Sequence, residues 1–329
     1  MILILALAKD AVASHGQRML RDRGQDVVRL DTTSIPQSTS VTFRWGRHGE
    51  LRRYLQFEGR TLDLANVRAV WHRRSHAGRP GEVPDEKHRK YVEREVQQLL
   101  HYLWLDLGVP FLPAPQARII DAQDKLQQLS LAASLGFEIP PSIVTNDPDE
   151  FLSFYREHGG RVIAKALAHA SYDEAGLTAD FMRFTEMVTL RDVAAFRSVR
   201  HCPIYVQGYV SKKLELRVTV VGERVFAAAI DSQSSAHSRI DWRKYDYART
   251  PYTNHDMPEA TAKQLVALTR KLGLRYGAID LILTPDDRYV FLEINPAGEY
   301  QWVEHMTGMP ITSAICDELI RMREEKANE

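Results

Sequence analysis

Cysteine is nearly absent from this chain: Cys202 and Cys316 are the only two among 329 residues. They show no paired-cysteine metal spacing, so a cysteine-held metal site is excluded and a reduced, cytoplasmic setting is expected. Net charge is missing too. Forty-three Lys and Arg balance 43 Asp and Glu, which argues against a general nucleic-acid binder. No apolar run is long enough to cross a membrane. The opening Met1-Ile2-Leu3-Ile4-Leu5-Ala6-Leu7 is too short, lacks a basic flank and a cleavage site, and is read as a first buried strand. No repeat or low-complexity segment stands out.

At 44% hydrophobic residues, a chain of this length can bury more than one core, and the pattern predicts an α/β (α+β) protein in three parts. Residues 1–115 begin strand then helix, with a helical pattern from Ser14 to Arg23 closed by Gly24. Val27–Leu30 makes a second strand of an open sheet. Alternation from Val41 to Leu62 predicts antiparallel strands, Val67–Trp71 another strand, and Asp85–Leu107 a long helix stopped by Gly108-Val109-Pro110. Residues 44–94 hold 13 Lys or Arg against 7 Asp or Glu, a basic stretch suited to an acidic peptide or phosphate, or simply a solvated surface. Residues 116–205 carry a helix opened by Lys125, with Leu126, Leu129 and Ala133 on one face, a strand ending at Lys165, and a helix starting near Asp147-Pro148. Residues 206–329 end in a helix from Ile311 onwards.

The most informative stretch is Tyr276–Leu283 followed by Phe291–Pro296, two apolar strands around the turn Thr284-Pro285-Asp286-Asp287-Arg288. Strand side chains alternate, so Glu293 and Asn295 share a face, and in a hairpin Asp280 joins them. Two carboxylates and an amide on a rigid sheet suit a hard cation such as magnesium, which also takes phosphate oxygens. The competing reading is an ordinary hairpin with solvated acids. Lys125 and Lys165 fit a nucleotide site by their order with this hairpin, although each taken singly reads as a solvated surface charge. Leu214–Gly222 reads as a strand with Glu215 and Arg217 on one face.

That order resembles the ATP-grasp superfamily, and within it the graspetide (microviridin-type) peptide maturases. The resemblance runs through Trp71-His72-Arg73-Arg74, Asp124-Lys125-Leu126-Gln127-Gln128-Leu129 and Lys212-Lys213-Leu214-Glu215-Leu216-Arg217. It continues in Asp241-Trp242-Arg243 and Glu293-Ile294-Asn295-Pro296-Ala297-Gly298-Glu299-Tyr300-Gln301-Trp302. It implies an ATP-grasp fold with an N-terminal pre-ATP-grasp domain, a central lid subdomain and a C-terminal catalytic subdomain. It further implies ATP and Mg2+ as cofactors. Lys125 and Lys165 would neutralise the α- and β-phosphates, Gln207, Tyr209 and Val210 would form the adenine hinge, partly through backbone groups, and Glu215 would bind ribose. Asp280, Glu293 and Asn295 would hold magnesium, and Arg217 would stabilise the transferred phosphoryl group. Gly208 stands where relatives often carry a glutamate, so recognition of adenine by a side chain there is lost or transferred. The loop Ala168-His169-Ala170-Ser171-Tyr172 would cover the phosphates, although it departs from the Gly-rich pattern of many relatives.

The implied reaction activates Asp or Glu side chains of a ribosomal precursor peptide as acyl phosphates. Ser or Thr hydroxyls, or Lys amines, then close ω-ester or ω-amide rings. The implied partner is a precursor with a leader and a Thr/Ser- and Asp/Glu-rich core, and a homodimer is expected. Arg243 is assigned to grip the acidic side chain, with Arg73 and Arg74 as further candidates, and Asp231 to order that region or touch peptide. Trp242 has two readings, a peptide contact or a plug packed down under an exposed hairpin. Two rival functions stay open: a RimK-like ligase that adds a free amino acid to a protein tail or small acid, and a non-catalytic nucleotide-binding regulatory module.

Overall fold

The computed structural model describes residues 1–73, 85–104, 107–167, 184–244, 246 and 249–328. Arg74 and the loop 168–172 lie outside the described residues.

The first part builds a parallel sheet in the order β2-β1-β6-β7 from β1 (Ile2–Leu5), β2 (Val27–Leu30), β6 (Ala69–His72) and β7 (Phe111–Leu112). Helix α1 (Ala11–Asp22) follows β1. It starts three residues earlier than the pattern predicts, because the Asp10 carboxylate accepts from the Ala13 amide at 2.8 Å, a cap worth about 1 kcal/mol. Gly24 ends it with φ +74°, a conformation that only glycine adopts freely. The alternating stretch forms three antiparallel strands, β3 (Ser40–Trp45), β4 (Leu51–Phe57) and β5 (Arg60–Asp63). With α2 (Glu86–Trp104) they pack on one face of the parallel sheet, through Leu55, Leu62 and Leu103. The other face packs against α1 and the C-terminal helix α9 (Ile311–Asn328), through Leu20, Ile315 and Leu319.

Strand β6 carries a titration signature. His72 is buried, and burial lowers its pKa from 6.5 to about 4, a bond to the Ala114 backbone only partly opposing the drop. The unfolded chain therefore takes up this proton first as the pH falls. Stability contributed by neutral His72 is complete above about pH 6.5 and is lost towards pH 4, roughly 3 kcal/mol over the window. A His72→Asn variant is expected to show a shallower fall in urea midpoint between pH 7 and 4.5 than the parent. Equal slopes would contradict the buried neutral imidazole.

The middle part is an antiparallel sheet, β10-β9-β11-β8, made of β8 (Ser142–Thr145), β9 (Val162–Lys165), β10 (Glu186–Met187) and β11 (Ile204–Gly208). Helix α5 (Pro148–Glu157), capped by Asp147, packs on it through Phe151 and Phe154. The last part is a five-stranded sheet, β14-β13-β12-β15-β16: β12 (Leu214–Val221), β13 (Arg224–Ile230), β14 (Tyr252–Asn254), β15 (Tyr276–Leu283) and β16 (Tyr289–Asn295). Its core is closed by α3 (Gln116–Ala122), α4 (Lys125–Ser134) and α7 (Glu259–Lys271).

Helix α4 turns a different face inward from the one expected. Leu126 and Ala133 are exposed, and Gln128, Leu129 and Ala132 are buried. The reason is a backbone vacancy on β16. Gln128 Nε2 donates to Ile294 O at 2.9 Å and its Oε1 accepts from Ile294 N at 3.1 Å. A buried amide with both ends satisfied in this way is stable where an unpaired one would be costly.

Candidate active site

Strands β12, β15 and β16 bring the chemistry together by register. Arg217 lies opposite Asp280, and Asp280 opposite Glu293, with a register shift just after Asp280. The Arg217 guanidinium donates from one nitrogen to both Asp280 oxygens at 3.1 Å, and its other terminal nitrogen donates to Glu299 O at 3.4 Å. Burial opposes charge on this arginine, but Asp280, Tyr276 and Glu293 together offset it and hold the pKa up. Burial also pushes the Asp280 carboxyl up; Arg217 pulls it back, and the Glu293 carboxylate adds to the rise.

Gln128 pins α4 beside this pair. As a result Lys125 Nζ sits 3.7 Å from Glu293 Oε2 and donates to Ala166 O at 2.9 Å. Lys165 ends β9 facing the same place. Burial lowers its pKa, Glu293 partly restores it, and Lys125 lowers it further. Three cations, Lys125, Lys165 and Arg217, thus surround two adjacent carboxylates.

Lys165, Asp280 and Glu293 line a cleft that encloses about 550 Å³ of empty space, partly open to solvent. Of the residues expected from sequence, Lys165, Tyr209, Val210, Glu215, Trp242, Arg243, Asp280 and Glu293 line it. Glu215 is buried with Lys212 Nζ at 2.9 Å; burial raises its pKa against the pull of that lysine. Gln207 does not line the cleft. Its side chain is fully buried in the sheet and donates to Ser142 Oγ at 2.8 Å, so the hinge presents Gly208, Tyr209 and Val210 instead. Gly208 has a local reason to lack a side chain: a Cβ there would lie 2.9 Å from the His158 ring.

The remaining expected residues sit elsewhere. Arg217 does not line the cleft; it stands beside Asp280 on the neighbouring strand, with its guanidinium 5.9 Å from the Trp242 ring. Asn295 spends its side-chain oxygen on the Ala297 amide at 3.0 Å, which closes the turn after β16. Asp231 accepts from Ser234 Oγ at 2.5 Å and orders a turn outside the cleft. Arg73 is 6% exposed and bound to Glu299 at 2.6 and 2.7 Å, so it is a buried ion-pair partner in this structure, away from the cleft that holds Asp280 and Glu293. Trp242 is buried against Trp302, ring centroids 5.1 Å apart, so it packs as a plug that also lines the cleft. The segment around it forms two short 3-10 turns, Ser232–Ser234 and Trp242–Lys244, before β14. Arg243 is clamped by Asp241 through Nε at 2.8 Å and Nη2 at 2.5 Å, while Asp241 also accepts from the Thr185 amide at 2.9 Å. The hydrogen bonds to Asp241 raise the Arg243 pKa, and the side chain stays 43% exposed at the cleft rim.

Among the described residues no group of three or more His, Cys, Asp and Glu could hold a metal ion alone. The donor set still fits magnesium with phosphate oxygens, because two adjacent carboxylates disfavour each other's charge until a cation arrives. Arg217 at present occupies both Asp280 oxygens that such a cation would use.

Gly298 fixes how closely the turn after β16 approaches Arg217. A Cβ there would lie 2.5 Å from Ala278 Cβ and 2.6 Å from Arg217 Nη2. Gly298→Ala is therefore expected to lower stability by about 1–3 kcal/mol, the usual cost of overpacking, read as the urea midpoint. An unchanged midpoint would contradict this contact.

Comparison with known proteins follows the same lines. Residues 1–116 match the family model of the MvdD pre-ATP grasp domain. The chain is similar to macrocyclase MdnC from Microcystis aeruginosa MRC, solved with the precursor peptide MdnA. That match has 32% identity and a TM-score of 0.83, over 97% of this chain and 99% of that one. A Chryseobacterium gregarium RiPP-associated ATP-grasp ligase, solved with ADP and a leader and core peptide, gives 28% identity and a TM-score of 0.88 over 97% and 96% of the two chains. A probable alpha-L-glutamate ligase of Enterobacter sp. (strain 638) is 26% identical over 199 residues. That match takes in 60% of this chain and only 63% of the enzyme's length. No helix among the described residues is long and apolar enough to cross a membrane.

Proposed function

Because the chain belongs to the graspetide-maturase family of ATP-grasp proteins, we propose that it is an ADP-forming ligase that closes rings within a ribosomal precursor peptide. The observation that carries this reading is the convergence of Lys165, Asp280 and Glu293 on one cleft, with Lys125 beside Glu293 and Arg217 paired to Asp280. Little covalent chemistry is asked of a protein in phosphoryl transfer; positioning and electrostatics do the work.

In this assignment ATP lies with its base at Gly208, Tyr209 and Val210 and its ribose at Glu215. Lys125 and Lys165 neutralise phosphate oxygens. Asp280 and Glu293, with Asn295 if its turn opens, would hold magnesium, which would supply charge neutralisation at the phosphates. Arg217 takes the charge of the transferred phosphoryl group, a role that requires its pair with Asp280 to open. Its planar fork suits phosphate oxygens. Phosphoryl transfer to an Asp or Glu side chain of the peptide makes an acyl phosphate and ADP. A peptide hydroxyl or amine attacks that carbonyl, loses its proton and releases phosphate, so each ring removes one water from the peptide. Arg243, held at the rim by Asp241, grips the acidic side chain.

The sequence relatives named glutamate ligases support a second reading, addition of a free amino acid to a carboxylate at the same ATP site. Phosphate release separates the two. The macrocyclase releases phosphate with a Thr/Ser- and Asp/Glu-rich precursor alone, and added glutamate changes nothing. A requirement for free amino acid would move the assignment to the second reading. Nucleotide binding without phosphate release on any peptide would favour a regulatory module.

A further inference from the structure

Side chains from β12, β15 and the end of β6 reach two consecutive residues of the turn between β16 and α8 (Gln301–Thr307). Tyr276 Oη donates to Gly298 O at 2.6 Å, Arg217 Nη2 donates to Glu299 O at 3.4 Å, and Arg73 Nη2 donates to both Glu299 carboxylate oxygens at 2.6 and 2.7 Å. Arg73 comes from β6 of the N-terminal sheet, 226 residues away in sequence. Its guanidinium is buried, and its Nε stands 3.9 Å from Asp10 Oδ2, the cap of α1. One buried cation thus joins the start of α1, the end of β6 and the turn that carries an Arg217 contact.

Resting on the reading above, we infer that Glu299, locked by Arg73, is a positioning residue for Arg217. The argument turns on what happens to Arg217 when its pair with Asp280 opens. Arg217 Nη1 then loses its two bonds to Asp280, while Nη2 keeps the Glu299 carbonyl. A flexible guanidinium held at one point is aimed only as well as that point is fixed. The Glu299 carboxylate fixes it through a charge-assisted, two-oxygen bond to a side chain that cannot move far, because it is buried between two sheets of the molecule. Glu299 is given no contact with nucleotide or peptide in this assignment; its carboxylate is taken up by Arg73. The Arg73–Glu299 pair also ties the N-terminal domain to the catalytic sheet, so displacement of β6 would be felt at Arg217.

The test is a double-mutant cycle on the full chain with a Thr/Ser- and Asp/Glu-rich precursor, read as peptide-dependent phosphate release. Glu299→Gln keeps the carbonyl and the side-chain size but loses the charge that binds Arg73. It is expected to lower kcat by roughly 10- to 100-fold, the scale on which small misplacements act, with KM for ATP within about twofold. In an Arg217→Lys background the same change is expected to cost almost nothing, because the group it positions is already gone. Glu299→Asp, charged but shorter, is expected to recover part of the loss and carries the same comparison should Glu299→Gln fold poorly. An equal fold-loss in both backgrounds would make Glu299 a merely structural residue and overturn the inference, as would a Glu299→Gln enzyme equal to the parent. A parent protein that releases no phosphate with any such peptide removes the functional reading and this inference together. An active parent beside an equally active Glu299→Gln removes the inference alone.

Discussion

Arg217→Lys lowers peptide-dependent phosphate release by about 10²- to 10³-fold, the scale on which a lost transition-state donor acts, while the protein remains folded. Lysine keeps a positive charge near Asp280 but has no fork to bridge Asp280, Glu299 O and an incoming phosphoryl group. The alanine variant is a poorer probe. On sequence alone, Arg217→Ala and Asp280→Ala look harmless to the fold, since neither partner is visible to the other. The structure corrects that expectation. Arg217 is 6% exposed and Asp280 9%, so removing one leaves the other as a buried, uncompensated charge, at a cost of about 3–5 kcal/mol. Phosphate release and urea midpoint measured on the same preparation separate the two effects. Retention of more than a fifth of parental kcat by Arg217→Lys would reject its catalytic role.

Glu293→Ala is expected to remove activity by about 10³-fold or more, because it takes away a cation ligand and an anchor of Lys125 together. Its side chain is 24% exposed, but the change also strips Lys125 and buried Lys165 of their nearest carboxylate, so the urea midpoint is read on the same preparation to separate loss of fold from loss of chemistry. The effect should not be rescued by raising magnesium, since Lys125 and Lys165 would then face each other without the intervening carboxylate that now sits 3.7 Å from Lys125 Nζ. A magnesium titration that restores parental turnover would limit Glu293 to binding affinity.

The hairpin was legible because its signal is local. Two apolar strands around a Pro-Asp-Asp turn mark a hairpin that carries Asp280 and Glu293, and the alternation of β12 puts Glu215 and Arg217 on one side. Counting from the turn pairs Asp280 with Leu292, and it is the register shift after Asp280 that sets it opposite Glu293. Lys165 at the end of β9 follows from the same logic. What escaped was set by contacts distant in sequence. The Gln128 amide completes the β16 backbone across 166 residues, and an amide on a helix gives no hint that it outranks Leu126 for the buried face. Gln207 reads as a hinge residue until Ser142 is found beside it on the neighbouring strand. Arg73 reads as a basic surface residue until Glu299 appears 226 residues on. In each case a polar side chain is buried because a partner from another element satisfies it, and periodicity carries no trace of that partner.

The central claim is intramolecular ring formation, and mass is its most direct readout. The chain is co-expressed with each short, Thr- and Glu/Asp-rich open reading frame beside its gene, and the peptides are weighed. Loss of one or more waters from one peptide, absent with Glu293→Ala, is the result expected of a macrocyclase. A gain equal to a free amino acid residue would contradict it and assign the same ATP site to an amino-acid ligase.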